Sequence, residues 1–147
     1  MSQQSRIQQR LRITFGKAGP LIYTGNLDIA KLWERVLRRA NLPILYTQGF
    51  NTRPRIQIAA PLALGISSDC EIVDIELREP VELEALAEQL LAVAPVGLSI
   101  TKVEAVDPAL PATQTLVRAG RYRVHFLDPV DVPALRERVT ALLEADT

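Results

Sequence analysis

The side chains most able to take part in chemistry include a pair of carboxylates and one cysteine. Asp74 and Glu76 alternate along one predicted strand, so both face the same way and could share acid and base roles. An acidic row of this kind is more often the solvated face of a sheet, and we adopt that interpretation. Cys70 lies between two acidic residues, and negative neighbours disfavour the reactive thiolate. We therefore predict an inert, partly buried thiol.

The one histidine, His125, lies on the polar face of another predicted strand. No cysteine or second histidine is near it in the sequence, so we predict a solvated or structural histidine and not a metal ligand. One cysteine cannot form an internal disulfide or supply the several thiolates of a zinc or iron–sulfur site. The sequence thus predicts no catalytic residues, no metal site and no cofactor.

Charge is divided unevenly along the chain, although 17 basic and 17 acidic side chains cancel overall. Residues 1–60, which we call the basic half, carry ten basic and two acidic side chains. Residues 61–117, which we call the acidic half, carry two basic and ten acidic ones. This asymmetry indicates either an anionic partner for the basic half or two halves that neutralise each other in the fold. Cross-strand ion pairs would stabilise the second arrangement by about 0.2–1 kcal/mol each, so both alternatives stay open.

The basic half contains an amphipathic helix with a cationic outer side. Apolar side chains recur at steps of three and four residues from Ile29 to Ala40, and basic side chains fall on the opposite face. Guanidinium groups bind phosphate oxygens with paired hydrogen bonds, which makes the arginines of this region candidate anion-binding residues. They are Arg35, Arg38, Arg39, Arg53 and Arg55. Tyr46 and Phe50 could stack on bases, as aromatic residues do in readers of single-stranded RNA.

The order of the predicted elements indicates an α+β fold. Periodicity predicts strand, helix, strand, strand, helix, strand within roughly residues 10–106. This is the split βαβ pattern of the ferredoxin-like fold, an antiparallel sheet with helices on one face. In the fourth strand the alternation slips by one residue near Lys102, which indicates a bulge.

The chain divides into three predicted regions. Residues 1–106 form the ferredoxin-like domain, residues 107–120 form a linker with two prolines, and residues 121–147 start a second βα unit. In that last region an alternating strand pattern over 121–126 precedes a helical one. A lone strand and helix bury little apolar surface. They could dock on the first domain, pair between chains, or form the incomplete front of a second, similar domain, and we expect the third.

The hydropathy of the sequence does not indicate a membrane-associated segment. The first residues lack the apolar core of a signal peptide, and no apolar run approaches the roughly 18 residues of a spanning helix. We therefore predict a cytoplasmic protein with no membrane partner.

Six blocks between residues 19 and 66 form a distinctive combination. They are Gly19-Pro20-Leu21-Ile22-Tyr23, Asn26-Leu27-Asp28, the run from Trp33 to Pro43, the run from Tyr46 to Asn51, Pro54-Arg55, and the run from Pro61 to Ile66. Together these blocks resemble the radical SAM-linked protein family, which is a family of unknown function. The resemblance implies a companion of a cobalamin-binding radical SAM protein, encoded beside it or fused after it. The cysteine triplet of a radical SAM iron–sulfur cluster is absent from the sequence, so the resemblance implies the companion and not the enzyme.

Two departures from the family pattern remove a histidine each. Gly25-Asn26-Leu27-Asp28 stands where the family typically shows Ser-His-Leu-Asp. Phe50-Asn51-Thr52-Arg53-Pro54 stands where it typically shows Phe-Asn-Pro-His-Pro. A metal or acid/base role is therefore not expected at these positions, and Arg53 favours an anion instead.

Three functional hypotheses follow. The first is a non-catalytic accessory module that presents an anionic substrate, RNA, to a radical SAM partner. In it the five candidate arginines hold phosphates, and a second set contacts bases or the partner: Asn26, Asp28, Gln48, Phe50 and Asn51. The alternative is a pure protein-interaction module that docks its basic half on the radical SAM protein without nucleic acid. The third is an enzyme that uses the loop at 48–55 together with Asp28, which the lack of an obvious general base disfavours.

Overall fold

A computed structural model describes residues 6–145 of the chain and contains, in the predicted order, the six elements predicted within residues 10–106. The first six, in chain order, are β1 (Gln9–Lys17), α1 (Asn26–Arg39), β2 (Ile56–Ile58), β3 (Ser68–Leu77), α2 (Leu86–Leu91) and β4 (Leu98–Val106). A 3-10 turn at Gly19–Tyr23 links β1 to α1. Two more helices follow β4, namely α3 (Thr113–Leu116) and α4 (Val132–Ala145).

The four strands form one antiparallel sheet in the order β2-β3-β1-β4. This order is the one that a βαββαβ ferredoxin-like unit produces, and it confirms the predicted α+β fold. The expected bulge in β4 is present as well. Thr14 pairs with Lys102 while Phe15 pairs with Ile100, so one residue of β4 has no counterpart on β1.

The core lies between one face of the sheet and helices α1 and α2. Leu11, Ile13 and Phe15 alternate along β1 and are at most 1% exposed. The ring of Phe15 packs edge to face on that of Trp33 from α1, with centroids 5.1 Å apart and planes at 73°. The apolar stripe of α1 is thus buried, and the basic stripe must face outward.

The opposite face of the sheet carries polar and charged residues in register across all four strands. Gln57, Asp74, Arg12 and Glu104 lie side by side on β2, β3, β1 and β4. The basic strand β1 therefore lies between two strands that carry acidic groups. Part of the charge asymmetry is neutralised within the fold, as one of the two open alternatives expects.

Residues 110–116, which fall in the predicted linker, lie across this charged face, and we call them the strap. Arg10 Nη1 donates to the Leu110 carbonyl at 2.6 Å, and its Nη2 donates to the Pro111 carbonyl at 3.0 Å. The Thr113 amide donates to Gln57 Oε1 at 3.0 Å. Because the strap covers the sheet here, Arg10 and Thr113 are only 1% and 2% exposed.

The structure shows no strand over residues 121–126, where alternation predicts one. This segment repeats the pattern of β1, since Arg-x-Arg-x-x-Phe occurs both at 10–15 and at 121–126. Strand β1 forms because β3 and β4 flank it, whereas no strand within residues 6–145 pairs with 121–126. Its apolar side chains stay exposed, with Tyr122 at 70% and Val124 at 71%. Helix α4 forms as predicted, and the division into a second unit stays a prediction.

Candidate anion-binding site

Helix α1 presents the cationic surface that the sequence predicts. Its buried residues Ile29, Trp33, Val36 and Leu37 face the sheet, and the basic residues on the other side are exposed: Lys31, Arg35, Arg38 and Arg39. One of these four has an ion pair within the described part of the chain. Arg38 Nη1 lies 3.8 Å from Glu34 Oε1, and exposed pairs of this kind contribute only about 0–1 kcal/mol.

The end of α1 turns the chain sharply toward β3. Asn41 adopts a φ of +58°, its amide donates to the Arg38 carbonyl, and the Leu42 amide donates to the Leu37 carbonyl at 3.0 Å. These two bonds form a Schellman motif, which satisfies carbonyls at the helix end. Pro43 follows and cannot continue the helix.

The segment after this turn runs along the end of β3. Ile44 forms a bridge with Leu77, and the Leu45 amide donates to the Glu76 carbonyl at 2.9 Å. The Arg78 amide in turn donates to the Pro43 carbonyl at 2.9 Å. This pairing brings Arg78, a residue of the acidic half, beside the C-terminal end of α1.

Residues 46–54 form a narrow arm that projects from the sheet. Tyr46 forms a bridge with Pro54 at its base, the Thr47 amide donates to the Arg53 carbonyl at 2.8 Å, and the Arg53 amide donates to Thr47 Oγ1 at 2.9 Å. The tip contains Gly49 with a φ of +119°, a conformation that glycine adopts readily. The predicted contact residues Gln48, Phe50 and Asn51 lie at this tip and are exposed, Phe50 completely so.

An open groove of about 390 Å³ lies where the end of α1, the segment after it and the base of the arm meet. It is lined by Arg38, Leu42, Ile44, Leu45, Tyr46, Gln48 and Arg78. Ile44 and Leu45 are 4% and 2% exposed, so the lining combines buried apolar residues with exposed polar ones. The charged lining residues are two arginines without a carboxylate, which makes the groove a favourable place for an anion.

The remaining predicted residues lie apart from this groove. Arg55 points into the charged face of the sheet, where its Nε lies 2.5 Å from Glu76 Oε2, so its charge is already compensated. Asn26 and Asp28 are exposed at the other end of α1. Asn26 is twelve residues before Arg38, which is roughly 18 Å along a helix axis. The structure therefore groups the C-terminal part of α1 with the arm and separates both from Asn26 and Asp28.

Arg78 is the groove residue that the sequence analysis missed. Arg78 belongs to the acidic half and lies between Leu77, at the end of β3, and Glu79. It has no basic neighbour in the sequence, so the charge pattern does not assign it to a cationic surface. The signal that could have found it is topological. In an antiparallel sheet with the order observed here, the end of β3 passes the segment that leaves α1.

The carboxylate pair on β3 is buried, and our interpretation of a solvated acidic row is wrong. Asp74 and Glu76 are 1% and 3% exposed, because the strap covers this face. Burial raises the pKa of Asp74, but hydrogen bonds from Arg12, Thr113 and Arg10 outweigh it and hold that pKa below its usual range. Asp74 therefore stays ionised as a structural counter-ion and is no proton donor near neutral pH. Cys70, predicted to be partly buried, is exposed.

Residues 6–145 contain neither a membrane-spanning helix nor a group of metal ligands. No helix in that range is long and apolar enough to cross a bilayer. Within the same range no three His, Cys, Asp or Glu side chains are grouped to hold a metal ion.

Comparison with known proteins places the chain in a family but gives no activity. No curated protein matches it. Residues 10–147 match the family DUF2344, described as an uncharacterized protein conserved in bacteria. Since this match extends over nearly the whole sequence, the chain belongs to the DUF2344 family of conserved bacterial proteins.

Proposed function

We propose that this protein is a non-catalytic binding module that presents an anionic substrate, RNA, to a radical SAM protein. One observation carries the RNA part of the proposal. The arginines of the sheet face are compensated inside the fold, whereas those of α1 and the arm are not.

The compensated group consists of Arg10, Arg12 and Arg55, whose partners are Asp74 and Glu76. The exposed group consists of Arg35, Arg38, Arg39 and Arg53. Within residues 6–145, Arg35, Arg39 and Arg53 have no ion-pair partner, and that of Arg38 is distant and solvated. Four guanidinium groups that remain available on neighbouring elements favour a ligand with several phosphates.

The arm adds a group that suits single-stranded RNA. Phe50 is fully exposed at the tip, between Gly49 and Asn51. An aromatic ring held in solvent beside cations is the usual means of binding unpaired bases, and each base stacked on such a ring contributes about 1–3 kcal/mol. The amides of Gln48 and Asn51 can both donate and accept hydrogen bonds at base edges.

The radical SAM partner is supported by the sequence resemblance described above. Its blocks include the run from Trp33 to Pro43 and the run from Tyr46 to Asn51, which are the segments that build the basic end of α1 and the arm. In this proposal the module binds RNA and the partner carries out the chemistry.

The proposal is tested by the binding of fluorescently labelled total tRNA, followed by anisotropy at about 50 and about 200 mM salt. We expect tight binding at the lower salt, with log K falling by about 0.7–0.9 per neutralised phosphate for each log unit of salt. The double substitution Arg35→Glu and Arg38→Glu should abolish it. Arg136→Glu with Arg138→Glu on α4 is the matched control, because both positions are exposed and the change in net charge is the same.

The outcomes separate the hypotheses. Loss of binding in the α1 variant alone supports an RNA surface on α1. Equal binding by both variants and the unsubstituted protein contradicts it. If tRNA does not bind at low salt but the chain forms a stable complex with a radical SAM protein of the same cell, the protein-interaction alternative is correct.

A further inference from the structure

The groove beside α1 contains two residues that the proposed function does not use, Tyr46 and Arg78. Arg78 is exposed and has no ion pair or side-chain hydrogen bond within residues 6–145. Arg38, the other cation of the lining, has only its long contact with Glu34. Two arginines that line one groove without a carboxylate favour an oxyanion, since guanidinium groups bind phosphate oxygens through paired hydrogen bonds.

The rest of the lining suits a planar group next to that anion. Ile44 and Leu45 are buried, Tyr46 is half-buried, and Gln48 is exposed. The half-buried phenol ring of Tyr46 can pack against a flat base, and the Gln48 amide can donate hydrogen bonds to the base edge and accept them from it. The volume of about 390 Å³ lies within the roughly 300–1,000 Å³ of small-molecule sites.

The backbone around the groove is held in place before any ligand binds. The Leu45 amide is bound to the Glu76 carbonyl, the Arg55 amide to the Leu45 carbonyl, and the Arg78 amide to the Pro43 carbonyl, each at 2.9 Å. These bonds fix the segment after α1 to the sheet from both sides. A ligand would therefore meet a largely preformed site, which lowers the entropic cost of binding.

We infer that this groove binds one nucleotide of the RNA strand. The phosphate lies between Arg38 and Arg78, the base lies on Tyr46, and Gln48 contacts the base edge. This inference rests on the proposed function and names the part of the ligand that the groove accepts. A free phosphate would use the arginines but leave the exposed part of the Tyr46 ring and the Gln48 amide without a ligand contact, whereas a nucleotide uses all of them.

The test is an NMR titration of the whole ¹⁵N-labelled chain with AMP, and with adenosine and inorganic phosphate as separate probes. AMP should shift the amide signals of Leu45, Tyr46, Gln48 and Arg78, and should bind at least about tenfold more tightly than either probe that has only one of its two parts. Arg78→Gln and Tyr46→Leu should each weaken AMP binding at least about fivefold. Tyr46→Phe keeps the ring and should retain binding, and Arg118→Gln is the control for loss of one exposed arginine.

Several results would overturn the inference. Shifts confined to residues outside the groove, or AMP binding unchanged by both Arg78→Gln and Tyr46→Leu, contradict it. If tRNA binds as proposed but AMP does not enter the groove, the inference fails while the proposed function stands. If AMP enters the groove but tRNA is not bound, the proposed RNA function fails, and with it the assignment of the bound nucleotide to an RNA strand.

Discussion

Arg12 and Asp74 lie opposite each other on β1 and β3, and the guanidinium binds both oxygens of the carboxylate. Arg12 Nε donates to Oδ1 and Nη2 donates to Oδ2, each at 2.8 Å. Arg10 Nε adds a bond of 2.9 Å to Oδ2. One carboxylate of the acidic half thus binds two arginines of the basic half under the strap. The opposite charges of the two halves are therefore partly neutralised within the fold.

Replacing Asp74 by Ala should destabilise the protein strongly. The change leaves Arg10 without its carboxylate partner while it remains only 1% exposed, and breaking a buried pair costs about 3–5 kcal/mol. Urea unfolding measures this loss. Asp69→Ala is the control on the same strand, where the side chain is exposed and the expected change is within about 0.5 kcal/mol. A loss of under about 1 kcal/mol for Asp74→Ala would contradict the structural role.

Acid should weaken the protein through the same residue. Hydrogen bonds from Arg12, Thr113 and Arg10 hold the pKa of Asp74 below its unfolded value despite burial. The unfolded chain then binds more protons than the folded one between these two pKa values, so the contribution is present above about pH 4 and is lost as the pH falls through the folded pKa. Unfolding free energies measured from about pH 6 to about pH 2 should show this fall. Asp74→Asn should flatten it, and an unchanged slope would rule the assignment out.

The strap should loosen when Thr113 becomes Val. The Thr113 hydroxyl accepts from Arg10 Nη2 at 3.0 Å and lies 3.3 Å from Gln57 Oε1, so the substitution leaves buried polar groups with fewer partners. A loss of about 1–3 kcal/mol is expected, with faster hydrogen exchange over residues 110–116. Thr115→Val is the matched control, because Thr115 is exposed and its hydroxyl donates, among the described residues, only to the Ala112 carbonyl in its own turn. Equal exchange in both variants would show that Thr113 does not fasten the strap.

Gly97 should tolerate alanine far less well than Gly49 does. Both have a positive φ, +99° and +119°, so both substitutions carry backbone strain of about 1–3 kcal/mol. At Gly97 an added Cβ would also lie 2.2 Å from the Ala18 carbonyl oxygen. At Gly49, apart from the two adjacent residues, no atom of residues 6–145 lies within 4 Å of an added Cβ. The melting temperatures of the two alanine variants, measured by thermal unfolding, separate the effect of backbone strain from that of the steric clash at Gly97. Similar melting temperatures would contradict the close approach of Gly97 to Ala18.

Local patterns were enough to predict most of the elements. The alternation of Leu11, Ile13 and Phe15 predicts β1, and the stripe from Ile29 to Ala40 predicts α1 with its cationic outer side, because each pattern repeats the period of its own backbone. The slip near Lys102 predicts the bulge for the same reason. Residues 121–126 have the same alternation as β1, but a strand also requires a partner strand, and no local pattern reports one.

The candidate site depends more on distant contacts. The sequence points to Arg35, Arg38 and Arg39 through helical periodicity, and to Gln48 and Phe50 through a turn-rich stretch. It does not reveal Arg78, which lies beside α1 because its amide donates a hydrogen bond to the Pro43 carbonyl. It also does not show that Glu76 compensates Arg55, because the two residues meet only when β3 passes the arm.

By itself, the sequence determined the α+β class, the order of the elements and the cationic face of α1, since these depend on residues three or four positions apart or on simple alternation. Only the tertiary structure decided which charges cancel, what covers the sheet and where a groove lies. Arg10 bonds to Asp74, 64 residues away, and to the Leu110 carbonyl, 100 residues away. Burial and neutralisation arise from such long-range pairs, and no periodicity in the chain encodes them.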